Sequence, residues 1–192
     1  MHFLKVDIPD IYILEPHVFD DQRGWLFESW SLRELQDHDL YYNFVQDNHS
    51  FSARRDTLRG LHFQKGKASQ AKFVRCIRGA VLDVAVDLRK DSPAYKRWIA
   101  IELSAKNKHE MLIPRGFAHG FLTLTDNVEI LYKADNFYNP TAEGSILWND
   151  PDLAIDWHGV QNPIIAAKDT IAPRLKHIED SLDFYCREQT ES

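Results

Sequence analysis

Cysteine, long apolar runs and excess positive charge are all scarce in this sequence. The chain of 192 residues has two cysteines far apart in sequence, so a disulfide framework is not expected. A typical apolar stretch, Ala80 to Val86, is interrupted by Asp83 and is far shorter than the roughly 20 residues of a membrane helix. The net charge of −6 argues against general affinity for nucleic acid, although a local basic pocket could still bind a small anion.

The first residues also lack the pattern of an export signal. Met1 to Asp7 contains no basic segment followed by an apolar stretch, so we expect a cytoplasmic protein without a membrane segment. No repeat or low-complexity segment interrupts the chain, and its glycines and prolines are scattered singly rather than gathered in a linker. We therefore expect one domain over residues 1–192, which is long enough to bury a real core.

Short runs rich in β-branched and aromatic residues dominate the chain from Gly24 to about Trp148. Such runs predict strands at Trp25–Trp30, Lys72–Ile77, Ala80–Leu88, Trp98–Leu103 and Val128–Lys133. Several short strands separated by turns favour a sandwich or a barrel.

Helices are predicted only as short additions to these strands. Ser31 and Glu34 have the spacing of a capping box, which predicts a short helix over Leu32 to Gln36. From about residue 173 onward, apolar residues recur at near-helical spacing, at Leu175, Ile178, Leu182 and Tyr185. This pattern predicts an amphipathic helix laid on the barrel.

Two histidine-bearing segments, around His62 and His119, are laid out like the two cupin motifs. Metal-binding cupins supply three histidines and a glutamate from these motifs, whereas this chain has His62, Gln64, Gln70 and His119. Amide oxygens are poor ligands for a transition metal compared with imidazole and carboxylate. The resemblance to cupins implies a mainly β, cupin-type jelly-roll barrel with short terminal helices, and the two amides predict that it holds no metal. Either histidine taken alone would more often be a hydrogen-bonded structural residue.

Further motifs extend the resemblance beyond cupins in general. They lie in family order and spacing at Gln46–Ser52, Thr57–Gln64, Lys72–Cys76, Asp83–Arg89, Ile113–Phe121 and Trp148–Pro151. From about Val18 to Asp169, the chain resembles the dTDP-4-dehydrorhamnose 3,5-epimerase family. The resemblance implies a homodimeric isomerase that needs no cofactor and acts on a dTDP-linked 4-keto-6-deoxy sugar. It also implies a place in dTDP-rhamnose biosynthesis, and so in lipopolysaccharide or O-antigen assembly.

The same resemblance assigns roles in a reaction that inverts carbons beside a ketone. Such a reaction needs a base on one face of the sugar, an acid on the other, and a group that stabilises the enolate oxygen. The resemblance implies that His62 is the base, Asp169 its orienting carboxylate, Tyr132 the acid and Lys72 the cation beside the enolate. Without it, Tyr132 would be interpreted as a core tyrosine and Lys72 as a solvated lysine.

The resemblance also implies a set of positions that contact the substrate. They are Arg23, Glu28, Gln46, Asn48, Arg59, His119, Tyr138, Glu143 and Lys168. Arginine and lysine suit the diphosphate, and the Tyr138 ring is expected to stack on the thymine. Without the family register, each charged or amide group in this set would be assigned to the solvated surface.

Two details depart from a simple pattern. Leu26 stands where the family usually has phenylalanine, which predicts a weaker wall on one side of the ligand site. Arg59 and His62, three residues apart, would face opposite sides of a regular strand, although the family uses both in one pocket. A bulge or bend at Gly60 would reconcile them.

Other functions fit the same residues. The chain could invert C3 only, or act on another nucleotide-linked 4-keto sugar, because the catalytic set would be unchanged. It could instead be a silent cupin that binds a sugar nucleotide without chemistry. The joint presence of His62, Tyr132, Lys72 and Asp169 argues against a silent cupin, since binding alone would not require an acid and a base. The leading hypothesis is the 3,5-epimerase that forms dTDP-4-dehydro-L-rhamnose.

Overall fold

The strand-rich segments form strands in the computed structural model, which describes residues 1–186. These strands are β1 (His2–Lys5), β2 (Tyr12–Glu15), β3 (Phe19–Asp21), β4 (Gly24–Leu26), β5 (Gln46–Ser52), β6 (Thr57–Gln64), β7 (Lys72–Arg78), β8 (Ala80–Asp87), β9 (Trp98–Ser104), β10 (Glu110–Ile113), β11 (Phe117–Thr123), β12 (Val128–Ala134), β13 (Glu143–Ser145) and β14 (Ile164–Ile165). The helices are α1 (Leu32–Gln36), α2 (Ala167–Thr170) and three 3-10 helices at Gly66–Ala68, Leu175–His177 and Glu179–Ser181.

Most of these strands form two sheets that face each other. The first sheet has the order β1-β2-β10-β7-β12-β5, and the second has the order β13-β6-β11-β8-β9. All pairs are antiparallel except that of β14, which runs parallel to β6 at one edge. Strands β3 and β4 form a separate hairpin. The prediction of a mainly β, jelly-roll fold is confirmed.

The main core lies between the two sheets. Val74 and Ile130 from the first sheet pack with Val81, Ala85 and Phe121 from the second. Strands β8 and β11 are buried on both faces, because the C-terminal segment covers the outer face of the second sheet. Their continuous apolar character follows from this double burial.

The predicted strand at Trp25–Trp30 is only partly correct, because β4 ends at Leu26. An isolated hairpin has no further strand to pair with, and Phe27 instead lies under the guanidinium of Arg75, 6.0 Å from its ring centroid. The short helix is confirmed as α1. Its N-cap, Ser31, accepts a hydrogen bond from the backbone of Glu34 at 3.5 Å.

The predicted amphipathic helix from about residue 173 is replaced by two short 3-10 helices up to residue 186. The backbone becomes extended at Leu182, so successive side chains point to opposite sides. Leu182 and Phe184 are therefore buried, whereas Tyr185 is exposed. At the start of the segment, the buried carboxylate of Asp150 accepts a hydrogen bond from the backbone of Leu175 at 2.7 Å. The prediction for residues 187–192 lies outside the described residues.

Candidate active site

A cavity of about 530 Å³ opens between the two sheets. The second sheet supplies Arg59 and His62 from β6 and His119 from β11. The first sheet supplies Lys72 from β7 and Tyr132 from β12, and α2 adds Lys168 and Asp169 at one side. The structure therefore gathers all four residues that the sequence analysis assigned to catalysis.

His62 is held by a carboxylate. Its Nε2 lies 2.7 Å from Oδ1 of Asp169, which is almost completely buried. A carboxylate accepts hydrogen bonds, so Nε2 carries the proton and Nδ1 is left as the basic nitrogen. Burial lowers the pKa of His62 below its ordinary value of 6.5, while the hydrogen bond and charge of Asp169 oppose that shift. The imidazole is therefore neutral at physiological pH and able to accept a proton.

Tyr132 and Lys72 come from adjacent strands of the facing sheet. The ammonium of Lys72 lies 5.8 Å from the centroid of the Tyr132 ring. Burial raises the pKa of Tyr132, so its hydroxyl keeps its proton at neutral pH, although the charge of Arg59 opposes the shift. Burial lowers the pKa of Lys72 to about 8, and the charge of Asp83 opposes this shift. The two side chains present a proton donor and a cation to the same space.

His119 is bonded to a residue that the sequence analysis did not assign to the site. Its Nε2 lies 2.9 Å and 3.1 Å from the two carboxylate oxygens of Asp83. Asp83 is completely buried on β8. The signal that could have identified it was its position as the single charged residue within the apolar run of β8 before Asp87.

Five of the predicted substrate contacts form one hydrogen-bonded chain. Lys168 donates to Glu143 at 2.7 Å, and the Tyr138 hydroxyl donates to the other oxygen of Glu143 at 3.2 Å. The Tyr138 backbone donates to the side-chain oxygen of Gln46 at 3.1 Å, and the Gln46 amide donates to Asn48 at 3.0 Å. Because Lys168 also lines the cavity, one end of this hydrogen-bonded chain lies at the cavity.

Arg59 lines the cavity, and two hydrogen bonds hold its guanidinium group in place. It donates to the Ser52 hydroxyl at 3.2 Å and to the Phe51 carbonyl at 3.0 Å. Both acceptors are neutral, so the positive charge of Arg59 is not cancelled by these contacts. Such a charge beside a cavity suits an anionic ligand.

Arg23 and Glu28 do not reach the cavity of their own chain. Arg23 lies at the tip of the β3–β4 hairpin, where its Nε donates to Asp21 at 3.1 Å and its side chain is 85% exposed. Glu28 follows the hairpin and is also exposed. Leu26 is exposed as well, so it forms no wall of this cavity. Within one chain, Arg23 and Glu28 therefore lie away from the other predicted substrate contacts.

The four positions that hold ligands in metal-binding cupins do not form a suitable donor set here. His62 and His119 are each bonded to a carboxylate. The Gln64 side chain accepts from the backbone of Asn139 at 2.9 Å, and Gln70 donates to the carbonyl of Asn136 at 2.8 Å. Within residues 1–186, no three His, Cys, Asp or Glu side chains are grouped as metal ligands. No helix in the same part of the chain is long and apolar enough to cross a membrane.

Known proteins match nearly the whole chain. A family model described as dTDP-4-dehydrorhamnose 3,5-epimerase matches residues 5–177. The enzyme of that name from Salmonella typhimurium is 52% identical over 176 residues, which cover 91% of this chain and 96% of the relative. A Bacillus anthracis structure of the same name, with TDP and PPi bound, has a TM-score of 0.88 at 44% identity and covers 91% of this chain and 99% of its own. The Legionella pneumophila dTDP-6-deoxy-D-glucose-3,5-epimerase in complex with dTDP-4-keto-L-rhamnose has a TM-score of 0.92 at 37% identity, with 97% and 99% covered.

Proposed function

Because this chain belongs to the dTDP-4-dehydrorhamnose 3,5-epimerase family, we propose that it converts dTDP-4-dehydro-6-deoxy-D-glucose to dTDP-4-dehydro-L-rhamnose. The observation that carries the proposal is the placement of His62 and Tyr132 on facing sheets of one cavity. A sugar ring between the sheets meets a base on one face and an acid on the other. Inversion of a carbon needs this arrangement, since the proton must leave from one face and return to the opposite face.

Proton abstraction is the role of His62. The C4 ketone of the substrate acidifies the C–H bonds at C3 and C5, and Nδ1 of His62 takes these protons in turn. The Nε2 contact with Asp169 fixes the ring and stabilises the imidazolium that forms. The lowered pKa of His62 keeps the resting imidazole neutral.

Stabilisation of the enolate is the role of Lys72. Loss of either proton places negative charge on the C4 oxygen, and an ammonium inside a water-poor cavity stabilises this charge more than an exposed ammonium would. With its pKa near 8, Lys72 is mostly protonated at neutral pH. Tyr132 then donates its proton to carbon from the opposite face, and the raised pKa of this phenol keeps it protonated in the resting enzyme. Before the second carbon is inverted, His62 releases its proton to solvent and Tyr132 takes one from solvent.

The nucleotide is bound by the rim of the cavity. Arg59 and Lys168 supply positive charge for the diphosphate, and Tyr138 supplies a ring for the thymine. The hydrogen-bonded chain described above, which includes Gln46, Asn48 and Glu143, fixes the positions of the Tyr138 ring and of Lys168. His119, beside His62 on the paired strands, contacts the sugar.

A second copy of the chain completes the site in this proposal. The β3–β4 hairpin exposes Phe19, Trp25 and Leu26, an apolar surface that a partner would cover. The same hairpin carries Arg23, and Glu28 follows it, outside the cavity of their own chain. We propose that the homodimer brings this pair to the cavity of the partner, and that the single-domain enzyme works in the cytoplasm in carbohydrate biosynthesis.

The proposal is tested by incubation with dTDP-4-keto-6-deoxyglucose in deuterated water. NMR should reveal deuterium at both C3 and C5, together with the L-rhamno product. Inversion at C3 alone would identify the narrower epimerase. Tight binding of the nucleotide sugar with no label at either carbon would identify a binding protein without chemistry and would overturn the proposal.

A further inference from the structure

Asp83 is a charged residue in an apolar strand. It lies on β8 between Val81 and Ala85, which face the main core between the sheets. The side chain of Asp83 is completely buried. Burial of an ionised carboxylate is unfavourable unless nearby groups compensate its charge, so its partners indicate what it does.

Asp83 is hydrogen-bonded to one residue, His119, and its charge acts on a second, Lys72, from the facing sheet. The ring of His119, on the neighbouring strand β11, donates from Nε2 to the carboxylate at 2.9 Å and 3.1 Å. Lys72 lies on β7 of the facing sheet, and the charge of Asp83 favours its protonated form. Both partners also line the cavity. The carboxylate therefore lies behind two groups that face the sugar.

We propose that Asp83 is a positioning residue of the epimerase: its carboxylate fixes the His119 ring and is the buried counter-charge of the Lys72 ammonium. This inference rests on the function proposed above and goes beyond it. Without the negative charge, Lys72 would face the cavity in a buried environment that favours its neutral amine, which cannot stabilise an enolate. Asp83 itself does not line the cavity, so it acts through its two partners.

The other charged and titratable groups that face this part of the cavity do not replace Asp83. They are Arg59, His62, His119, Tyr132, Lys168 and Asp169. Arg59 and Lys168 carry positive charge, which disfavours a charged Lys72. The carboxylate of Asp169 is hydrogen-bonded to His62. Asp83 is thus the carboxylate that counters the effect of burial on Lys72.

The test uses Asp83→Asn, which keeps the shape and a hydrogen-bond acceptor for His119 but removes the charge. We expect kcat at pH 8 to fall on the order of tenfold, while KM changes by no more than about twofold, because Asp83 does not contact the substrate. The alkaline limb of the kcat profile should move to lower pH. Since activity needs protonated Lys72, a lower Lys72 pKa removes activity earlier as the pH rises. Asp83→Glu restores the charge and should return the limb toward higher pH.

Asp87→Asn is the matched control, because Asp87 is equally buried on the same strand but lies outside the cavity. Its partner Arg89 keeps a second carboxylate, Asp10, at 2.6 Å. Loss of this buried charge should lower thermal stability without moving the alkaline limb. If the alkaline limb of the kcat profile shifts by the same amount in Asp87→Asn, the shift results from general destabilisation of the fold, and the proposal is overturned.

A second measurement does not depend on turnover. Reductive ¹³C-methylation followed by NMR titration reports the Lys72 amine directly, with Lys72→Arg used to assign its signal. In Asp83→Asn the signal should titrate at lower pH than in the wild-type chain. An unchanged titration would overturn the role of Asp83, even if the wild-type chain proves to be an active epimerase. A changed titration in a chain without epimerase activity would instead count against the proposed function alone.

Discussion

Arg59 and His62 lie three residues apart on β6, and yet both line the same cavity. On the neighbouring strand β11, their pairing partners Phe121 and His119 are only two residues apart. The extra residue on β6 is accommodated at Gly60, where φ is +120° and β6 approaches β11 closely. This bulge cancels the usual alternation and turns the side chains of Arg59 and His62 to the same side.

The bulge predicts that Gly60→Ala is strongly destabilising. A Cβ at this position would lie 2.6 Å from the Gly120 Cα, and the positive φ is unfavourable for alanine. Backbone strain and overpacking together should cost at least about 2 kcal/mol. For a chain of this size, Tm should fall by roughly 4–8 °C in calorimetry. Gly159→Ala is the control, since its φ is also positive but no atom lies within 4 Å. Equal losses in both variants would contradict the close-approach argument.

Replacement of His62 by asparagine should abolish both steps of the reaction. Without the base no proton leaves C3 or C5, so deuterium uptake and product formation should fall together, by on the order of 10²-fold or more. NMR in deuterated water follows both signals in one sample. Free exchange in His62→Asn would mean that another group is the base.

Tyr132→Phe should separate exchange from inversion. The base and Lys72 remain, so a proton can leave and return on the same face, whereas protonation of the opposite face lacks its donor. Deuterium incorporation should therefore continue while the epimerised product falls. Inversion of both carbons at the wild-type rate would remove Tyr132 from the role of acid.

Arg59→Ala should weaken the binding of dTDP. A charge-assisted contact to a shielded diphosphate contributes roughly 1.5–3 kcal/mol, so Kd should rise by about tenfold or more. Titration calorimetry with dTDP measures this directly. Arg55→Ala is the matched control: Arg55 lies near the start of β6 on the exposed surface, and its side chain is 66% exposed. Equal affinities of wild type and Arg59→Ala would place the diphosphate elsewhere.

A dimer with exchanged hairpins predicts complementation between two defective chains. Arg23→Ala and His62→Asn should each be impaired at subsaturating substrate. In a mixed dimer, one cavity receives both defects and the other receives neither, so subunit exchange should restore about a quarter of wild-type activity. Sedimentation velocity confirms the dimer in the same samples. If Arg23 serves only its own chain, mixing restores nothing.

Sequence patterns captured strands that are fixed by burial. The runs at β7, β8, β9 and β12 were predicted to within one residue at each end. Their side chains pack in the core between the sheets and in the layer outside the second sheet, and such burial requires apolar residues. The segment after residue 173 was predicted less well. Its apolar spacing fits either a helix or turns with an extended end, and only contacts with distant residues such as Asp150 select the latter.

The candidate site was predictable only as far as the family motifs reached. The family resemblance named His62, Lys72, Tyr132 and Asp169, and folding brought these four together from three strands and a helix that are distant in sequence. Asp83 was missed although it is the single charged residue within the apolar run of β8 before Asp87, because its hydrogen bond to His119 joins residues that are distant in sequence. The predicted contacts Arg23 and Glu28 lie outside the cavity of their own chain, and sequence alone could not show this because it does not give the position of the β3–β4 hairpin relative to the two sheets.

The amides of Gln64 and Gln70 have a consequence for how this barrel can change. They tether the two ends of the 136–139 segment, which carries Tyr138. Mutation of these positions toward histidine and glutamate would rebuild metal ligands only by releasing that segment. A barrel that regains these metal ligands therefore gives up the two hydrogen bonds that hold the segment around Tyr138.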